Sequence, residues 1–587
     1  MTTITKEQVA RAVYDAIPRI ACVLPHDVRA ALEAAQAVEA AQPSGNAYSG
    51  EDARRLENAC SAQDARLSLG AQSAGNVHLA EGAQPAENMQ FAGNAHLAEG
   101  VQHAVGAQSS ESSQPAEGGR PAEGSTRGAV VLGHLLENAE IAERDHVPIC
   151  QDTGTVWVCL EVGPDVAVPG DVFACVDEAV ARAYTEARLR KSVVRDALVD
   201  RANTGDNTPA FTDIHFVEEP GARVHVLLKG GGSDNASRVT MLTPGAGREG
   251  IIAEVMDCVA HKAANACPPL VIGIGVGGTF DKVAGMAKSA LLREVGTPAA
   301  DPRVAEFERE LLEKVNASGM GPGALGGKTL ALAVHVNTAP CHIAALPLAI
   351  NMGCSAMRRA TVELNDTTPS AWPPVAAESG RRDDEAKGHM EDPQEENERA
   401  DASGEGATAG AAPVKLALPL DKSELAKLKA GDACTLTGEM YMLRDAGHIR
   451  LLEELKAQGS LPYGLEGAAI FYAGPTPPAA GRPFGAVGPT TASRMDFAAP
   501  ALYRAGVVAT VGKGVRSKDV AAACQETGSV YFVATGGAAA LLAQRVESGE
   551  VVAYDDLGTE ALRRITVRDF PVFVGLDTRG GNVYDLQ

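Results

Sequence analysis

No two cysteines of this chain stand three residues apart, although the chain has eleven of them. The missing C-x-x-C pair removes zinc ribbons, thioredoxin-like redox sites and ferredoxin-type electron carriers from consideration. An odd count in a long chain also argues against a disulfide framework. No apolar run is long enough to cross a bilayer, and Met1 to Ile20 is punctuated by charge where a signal peptide has an unbroken apolar core. The cytosol is the expected compartment. Positive charge is scarce, with 52 Lys and Arg against 75 Asp and Glu and a formal net charge of -23. A field of that sign argues against nucleic acid or an anionic membrane as partner. A small anionic ligand would need a local group of Arg and Lys.

At 587 residues with 45% apolar side chains, the chain is too long for one core and is expected to hold two large domains plus accessory sequence. Two breaks in composition set the boundaries. Residues 44–126 are rich in Ala, Gly, Gln, Glu, Ser and Pro, and the segment from Ala74 to Gly82 returns from Ala92 to Gly100. Such sequence buries too little apolar surface to offset its ordering entropy, so a disordered insertion is expected. Residues 366–413, dense in Glu, Asp, Ser, Ala and Gly, read as an acidic flexible linker. Residues 1–43 and 127–365 then form an N-terminal domain, and 414–587 a C-terminal one.

Within these domains, helices are expected over Lys6–Tyr14, from Pro25 through Val38, over Ala129–Ala139, from about Val176 to Arg190, and over Ala253–Ala266. Strands are expected at Val156–Leu160, Thr212–Val217 and Arg223–Lys229. Gly230-Gly231-Gly232 lets the backbone approach a ligand closely. Gly273, Gly275 and Gly278 formally satisfy G-x-G-x-x-G, but no second strand ending in an acidic residue follows at the expected distance. A dinucleotide site is therefore disfavoured.

Three cysteines have distinctive company. Cys150 is followed by Gln151-Asp152-Thr153-Gly154, a turn that sets a thiol and a carboxylate two residues apart. Cys267 precedes Pro268-Pro269, and Cys354 closes a run that begins Cys341-His342. These three read as the ligands of one iron–sulfur cluster. Cys22, Cys60, Cys159, Cys175, Cys258, Cys434 and Cys524 lack such neighbours and read as ordinary buried residues.

Together with Lys229–Ser233, Thr437-Gly438, Arg444-Asp445-Ala446, Gly488–Thr491, Arg494-Met495 and Gly512-Lys513-Gly514, these pieces resemble, in order, the class I iron–sulfur-dependent fumarate hydratases and their tartrate dehydratase relatives. The resemblance covers nearly everything outside the two low-complexity stretches. It implies a mixed α/β (α+β) architecture, with a large cluster-binding N-terminal domain and a smaller C-terminal α/β domain of swivelling type. The chain looks like a fusion of parts that some relatives carry as separate α and β subunits.

The implied cofactor is a [4Fe–4S] cluster on Cys150, Cys267 and Cys354, with one iron left open as a Lewis acid. The implied chemistry is reversible hydration of fumarate to (S)-malate. The resemblance assigns proton transfer to Asp152, as the acid at the leaving oxygen, and Thr490, as the base. His342 is expected to bind substrate or shuttle protons. Gln151, Arg190, Gly232, Arg444, Arg494 and Lys513 are expected to hold the dicarboxylate, since guanidinium groups receive carboxylates bidentately. The cluster ligands precede the linker and three of the cations follow it, so catalysis is expected between the domains, with a homodimer as the expected assembly. Tartrate is the nearest alternative substrate. A cluster-bearing sensor that binds nucleic acid and a cluster-free nucleotide-binding protein are more distant alternatives.

Overall fold

In the N-terminal half, the helices α1 (Lys6–Cys22), α2 (His26–Ala40) and α3 (Arg127–Asp145) lead into the strand β1 (Thr155–Val162). The computed structural model describes residues 2–40, 126–364, 412–478 and 481–586. The expectations placed on 44–125 and 366–411 lie outside the described residues. Thr5 caps α1 in a capping box with Gln8, satisfying two N–H groups that the first turn leaves free. The helix runs well past the expected Tyr14, because Ala16, Ile17 and Ile20 continue its buried face.

The helix α4 (Val176–Glu186) stops short of the basic run that was expected to end it. Arg188 takes a positive φ of 52° there, and the chain turns, so Arg190 projects from a loop. Next come β2 (Phe211–Phe216), β3 (Ala222–Lys229), β4 (Arg238–Leu242), α5 (Gly247–Lys262), β5 (Leu270–Gly278), α6 (Phe280–Ala290), α7 (Pro302–Asn316), β6 (Ala331–Cys341), β7 (Leu346–Gly353) and β8 (Arg359–Glu363). They build two four-stranded sheets, ordered β8-β3-β1-β2 and β4-β7-β5-β6. Strands β2 and β3 flank β1 on opposite sides, parallel and antiparallel respectively.

The glycines of the formal G-x-G-x-x-G pattern have a packing explanation. A Cβ at Gly273 would stand 2.2 Å from the Ala287 carbonyl oxygen, and one at Gly275 would stand 2.4 Å from that of Val283. Both belong to β5 and let α6 lie directly on the strand.

After residue 412 a single seven-stranded sheet forms. Its strands are β9 (Val414–Ala417), β10 (Ala433–Met442), β11 (Ala469–Phe471), β12 (Ala509–Gly512), β13 (Val530–Val533), β14 (Val546–Ala553) and β15 (Leu562–Leu576), in the order β9-β10-β11-β12-β13-β15-β14. Strand β15 also pairs with β10, which closes β10, β11, β12, β13 and β15 into a ring. Around it lie α8 (Asp445–Gln458), α9 (Lys518–Thr527) and α10 (Ala539–Gln544). One apolar cluster runs across both halves, joining Leu135, Trp157 and Leu291 to Leu443, Tyr503 and Phe573. That shared core brings the loops of the two halves face to face.

Candidate active site

Cys150 sits in the loop between α3 and β1, and the loop is pinned from several directions. Gly154 has φ +80°, and a Cβ there would lie 2.7 Å from the backbone of Lys229, so this turn requires glycine. The Tyr184 hydroxyl donates to the carbonyls of Thr153 (2.8 Å) and Gly154 (3.1 Å), and the Thr153 hydroxyl donates to that of Arg190 (2.7 Å). Cys267 takes a left-handed conformation with φ 60° and ψ 69°, unfavourable for a residue with a Cβ. It is held there by the Ser355 N–H, which donates to the Cys267 carbonyl at 3.1 Å. Cys354 follows the end of β7.

The three cysteines line one cavity together with residues of the C-terminal half. Among the expected site residues, Gln151, Asp152, Arg190, Gly232, Arg444, Thr490, Arg494 and Lys513 line the same cavity. His342 does not. It lies on the exposed turn between β6 and β7, and its Nδ1 accepts from the Ala344 N–H at 3.1 Å. The expected catalytic role of His342 gains no support from the fold of this chain.

The cavity is strongly cationic in a chain of net charge -23. Arg190 is buried, and its guanidinium donates to the Gly474 carbonyl at 3.1 Å and stands 3.4 Å from Asp152. Burial lowers its pKa, opposed by Asp152 and reinforced by the repulsion of Arg444 and Arg494. Three guanidinium groups facing one space favour an anion between them. Arg444 and Arg494 are both held by Asp445, whose carboxylate meets Arg444 Nε at 3.0 Å and Arg494 Nε at 3.0 Å. Glu560 grips Arg444 from the other side at 2.8 Å and accepts the Ala446 N–H at 2.9 Å.

Sequence reasoning missed Arg358, which lines the cavity and is 1% exposed. It donates to the Asp152 carbonyl at 2.5 Å. Burial opposes its charge, but Cys150, Cys354 and Asp152 outweigh burial and raise its pKa. Its position four residues after Cys354 was the one available signal.

Asp152 accepts the Gly231 N–H at 2.8 Å and the Gly154 N–H at 3.2 Å. Burial works to raise its pKa, but Arg190, Arg358, the Gly231 N–H and Lys513 together lower it below the ordinary carboxyl value. The protein matrix thus holds Asp152 ionised. Thr490 is buried on the facing wall, its N–H donating to the Tyr472 carbonyl at 2.7 Å and its carbonyl accepting from the Lys513 N–H at 3.1 Å. Lys513 Nζ reaches Cys267 Sγ at 2.6 Å.

The donor set suits a cluster. Three thiols from distant parts of the chain face one space, and burial pushes the Cys150 thiol up to about 11, a value that a bound cation would reverse. Among the described residues, no three His, Cys, Asp or Glu side chains close on a point tightly enough for one metal ion. Thiolates that bind different irons of a cluster stand farther apart than the ligands of a single ion. Cys22, Cys159, Cys258, Cys434 and Cys524 are buried elsewhere as free thiols, Cys175, expected to be buried, is only half-buried, and Cys60 lies outside the described residues.

A mixed α/β fold here brings cysteines and arginines to one cavity, whose cations suit a small anion. The family model described as Fumarate hydratase (Fumerase) matches residues 95–363, and that described as Fumarase C-terminus matches 385–587. The anaerobic class I fumarate hydratase of Escherichia coli K12 is 32% identical over 469 residues, covering 76% of this chain and 81% of that protein. Fumarate hydratase 1, mitochondrial, of Leishmania major is 31% identical over 466 residues, covering 77% and 82%. A putative L(+)-tartrate dehydratase subunit alpha of Methanocaldococcus jannaschii is 40% identical over 233 residues, covering 38% of this chain and 81% of that subunit. The chain belongs to the class I fumarate hydratase family and, with it, to the hydro-lyases.

Proposed function

We propose that this enzyme interconverts fumarate and (S)-malate on a [4Fe–4S] cluster held by Cys150, Cys267 and Cys354. The observation that carries the reading is the convergence of those cysteines with Arg190, Arg444, Arg494 and Lys513 on one cavity. When bound, the cluster supplies a Lewis-acidic iron with an open coordination position. The chain supplies the rest. Arg190, Arg444 and Arg494 receive the substrate carboxylates, and Gln151, whose side-chain N–H donates to the Pro489 carbonyl at 3.4 Å, positions the substrate beside Asp152.

Asp152 handles the proton on oxygen. An ionised Asp152 takes a proton from water in the hydration direction and returns it to the leaving hydroxyl in the reverse one, which is the acid role expected from the resemblance. Thr490, on the opposite wall, handles the proton on carbon. Arg190, then Arg358 and the Gly231 N–H, keep Asp152 in its working charge state against the opposing effect of burial.

Similarity to two fumarate hydratases over three quarters of this chain supports fumarate, while the 40% identity to a tartrate dehydratase subunit alpha, matched over 81% of that subunit, makes L(+)-tartrate the alternative substrate. The ten cysteines described as free fit a reducing compartment such as the cytosol. No helix among the described residues is long and apolar enough to cross a membrane. A homodimer is the assembly expected from the prevalence of twofold oligomers among soluble enzymes. Anaerobic turnover of fumarate, (S)-malate and L(+)-tartrate by the purified chain tests the substrate. Turnover of tartrate alone contradicts the proposal.

A further inference from the structure

The two halves meet at a joint that no sequence motif marks. Asn138, in the middle of α3, is completely buried, and its amide is fully used. Nδ2 donates to the carbonyls of Ile149 and Gly537, both at 3.0 Å, while Oδ1 accepts from the N–H groups of Ala540 (2.7 Å) and Leu541 (3.0 Å). Ile149 immediately precedes Cys150, and Gly537 lies just before α10. One side chain therefore fixes the first cysteine loop to a turn of the C-terminal half.

That turn also touches the other two cysteine loops. A Cβ at Gly536 would stand 2.6 Å from Cys267 Sγ, and one at Gly537 would stand 2.6 Å from the hydroxyl of Ser355, the neighbour of Cys354. Gly537 has φ +88°, so its backbone alone favours glycine. Gly536 is not in the left-handed region, and what opposes a side chain there is first the sulfur and then Lys513 Cδ at 3.1 Å and Cys267 Cβ at 3.2 Å. On its other side, Cys267 Sγ receives Lys513 Nζ at 2.6 Å. The sulfur is wedged between a lysine and a missing side chain, both supplied by the C-terminal half.

We propose that the Gly536-Gly537 turn, keyed by Asn138, forms part of the cluster cradle, so that cluster retention depends on the C-terminal half although all three ligands belong to the N-terminal half. This inference rests on the cluster reading above. A methyl group at 536 pushes against Cys267 Sγ and crowds Lys513 Cδ at 3.1 Å, and supporting residues of this kind typically change metal affinity by about 10–100-fold.

The test compares anaerobically purified full-length protein with the variants Gly536→Ala, Asn138→Asp and Gly245→Ala. Gly245 has nothing within 4 Å of a built Cβ and serves as the control. The readouts are iron and sulfide per chain, the rate of loss of visible absorbance under a chelator, and the melting temperature of the stripped proteins. Gly536→Ala is expected to lose its chromophore at least about tenfold faster than Gly245→Ala while the stripped proteins melt alike. Should Gly536→Ala not fold, Asn138→Asp decides by the same criterion. It keeps both accepted bonds at Ala540 and Leu541 and turns a carboxylate oxygen towards the carbonyls of Ile149 and Gly537, which repels the two segments it had joined. Loss at the control rate overturns the inference. A colourless, iron-free wild-type protein overturns the cluster reading instead.

Discussion

Asp445 offers the sharpest perturbation of the substrate clamp, because replacing it by Asn changes charge with little cost to the fold. Its φ is +35°, a region in which Asn is among the best tolerated residues. The carboxylate joins Arg444 and Arg494, each at 3.0 Å through Nε. An amide presents a donor where the second oxygen accepted, so one guanidinium loses its partner. A charge-assisted hydrogen bond contributes roughly 1.5–3 kcal/mol when buried. Arg494 is 47% exposed, which screens its share towards the roughly 0.2–1 kcal/mol of surface pairs, whereas Arg444 is only 14% exposed. A net loss of about 1–2 kcal/mol in clamp order corresponds to a rise in KM for the dicarboxylate of about 5–30-fold, with kcat within a few-fold. Steady-state kinetics of Asp445→Asn, beside its melting temperature, measures this. An unchanged or lower KM, with the fold intact, refutes the idea that Asp445 presets the two arginines.

Cys150→Ser, Cys267→Ser and Cys354→Ser are each expected to abolish the visible chromophore, while Cys159→Ser, buried outside the cavity, keeps it; colour surviving in any of the first three removes that residue from the ligand set. Gly275→Ala brings a Cβ to 2.4 Å from the Val283 carbonyl and is expected to cost about 1–3 kcal/mol, read as a lower melting temperature. An unchanged melting temperature would disprove the packing role of that glycine. Burial lowers His335 to about 4 and His448 to about 3, both from 6.5, so their neutral forms belong to the fold and protons favour the unfolded chain. Their contribution is complete above pH 6.5 and fades as pH falls towards about 4 for His335 and about 3 for His448. Lowering the pH from 6.5 to 5 should cost about 3–4 kcal/mol from the pair, and His448→Phe should roughly halve that slope in denaturant titrations.

The parts of the site that were legible in the sequence are those whose chemistry is local. Cys150 and Asp152 share one turn, Gly230-Gly231-Gly232 announces a close backbone approach, and Arg494 and Lys513 stand beside small residues that let them reach a ligand. The strand at β1 and the helix at α3 followed from apolar periodicity. What stayed hidden depends on contacts between distant segments. Asn138 meets Leu541 across 403 positions, Arg358 meets Asp152 across 206, and Lys513 meets Cys267 across 246, and no local pattern encodes such pairings. His342 shows the converse, since a histidine beside a distinctive cysteine run folded onto an exposed turn. The glycines of β5 matched a nucleotide motif because close helix–strand packing and phosphate binding both require a missing side chain.

The central claim is that a cluster with an open iron sits among these cations. Mössbauer spectroscopy of the anaerobically purified, iron-57-labelled protein, with and without (S)-malate, tests it most directly. The account predicts about four irons per chain, with the signal of one site moving when malate is added. Full malate turnover by an iron-free protein, or a cluster whose irons all ignore malate, would contradict it.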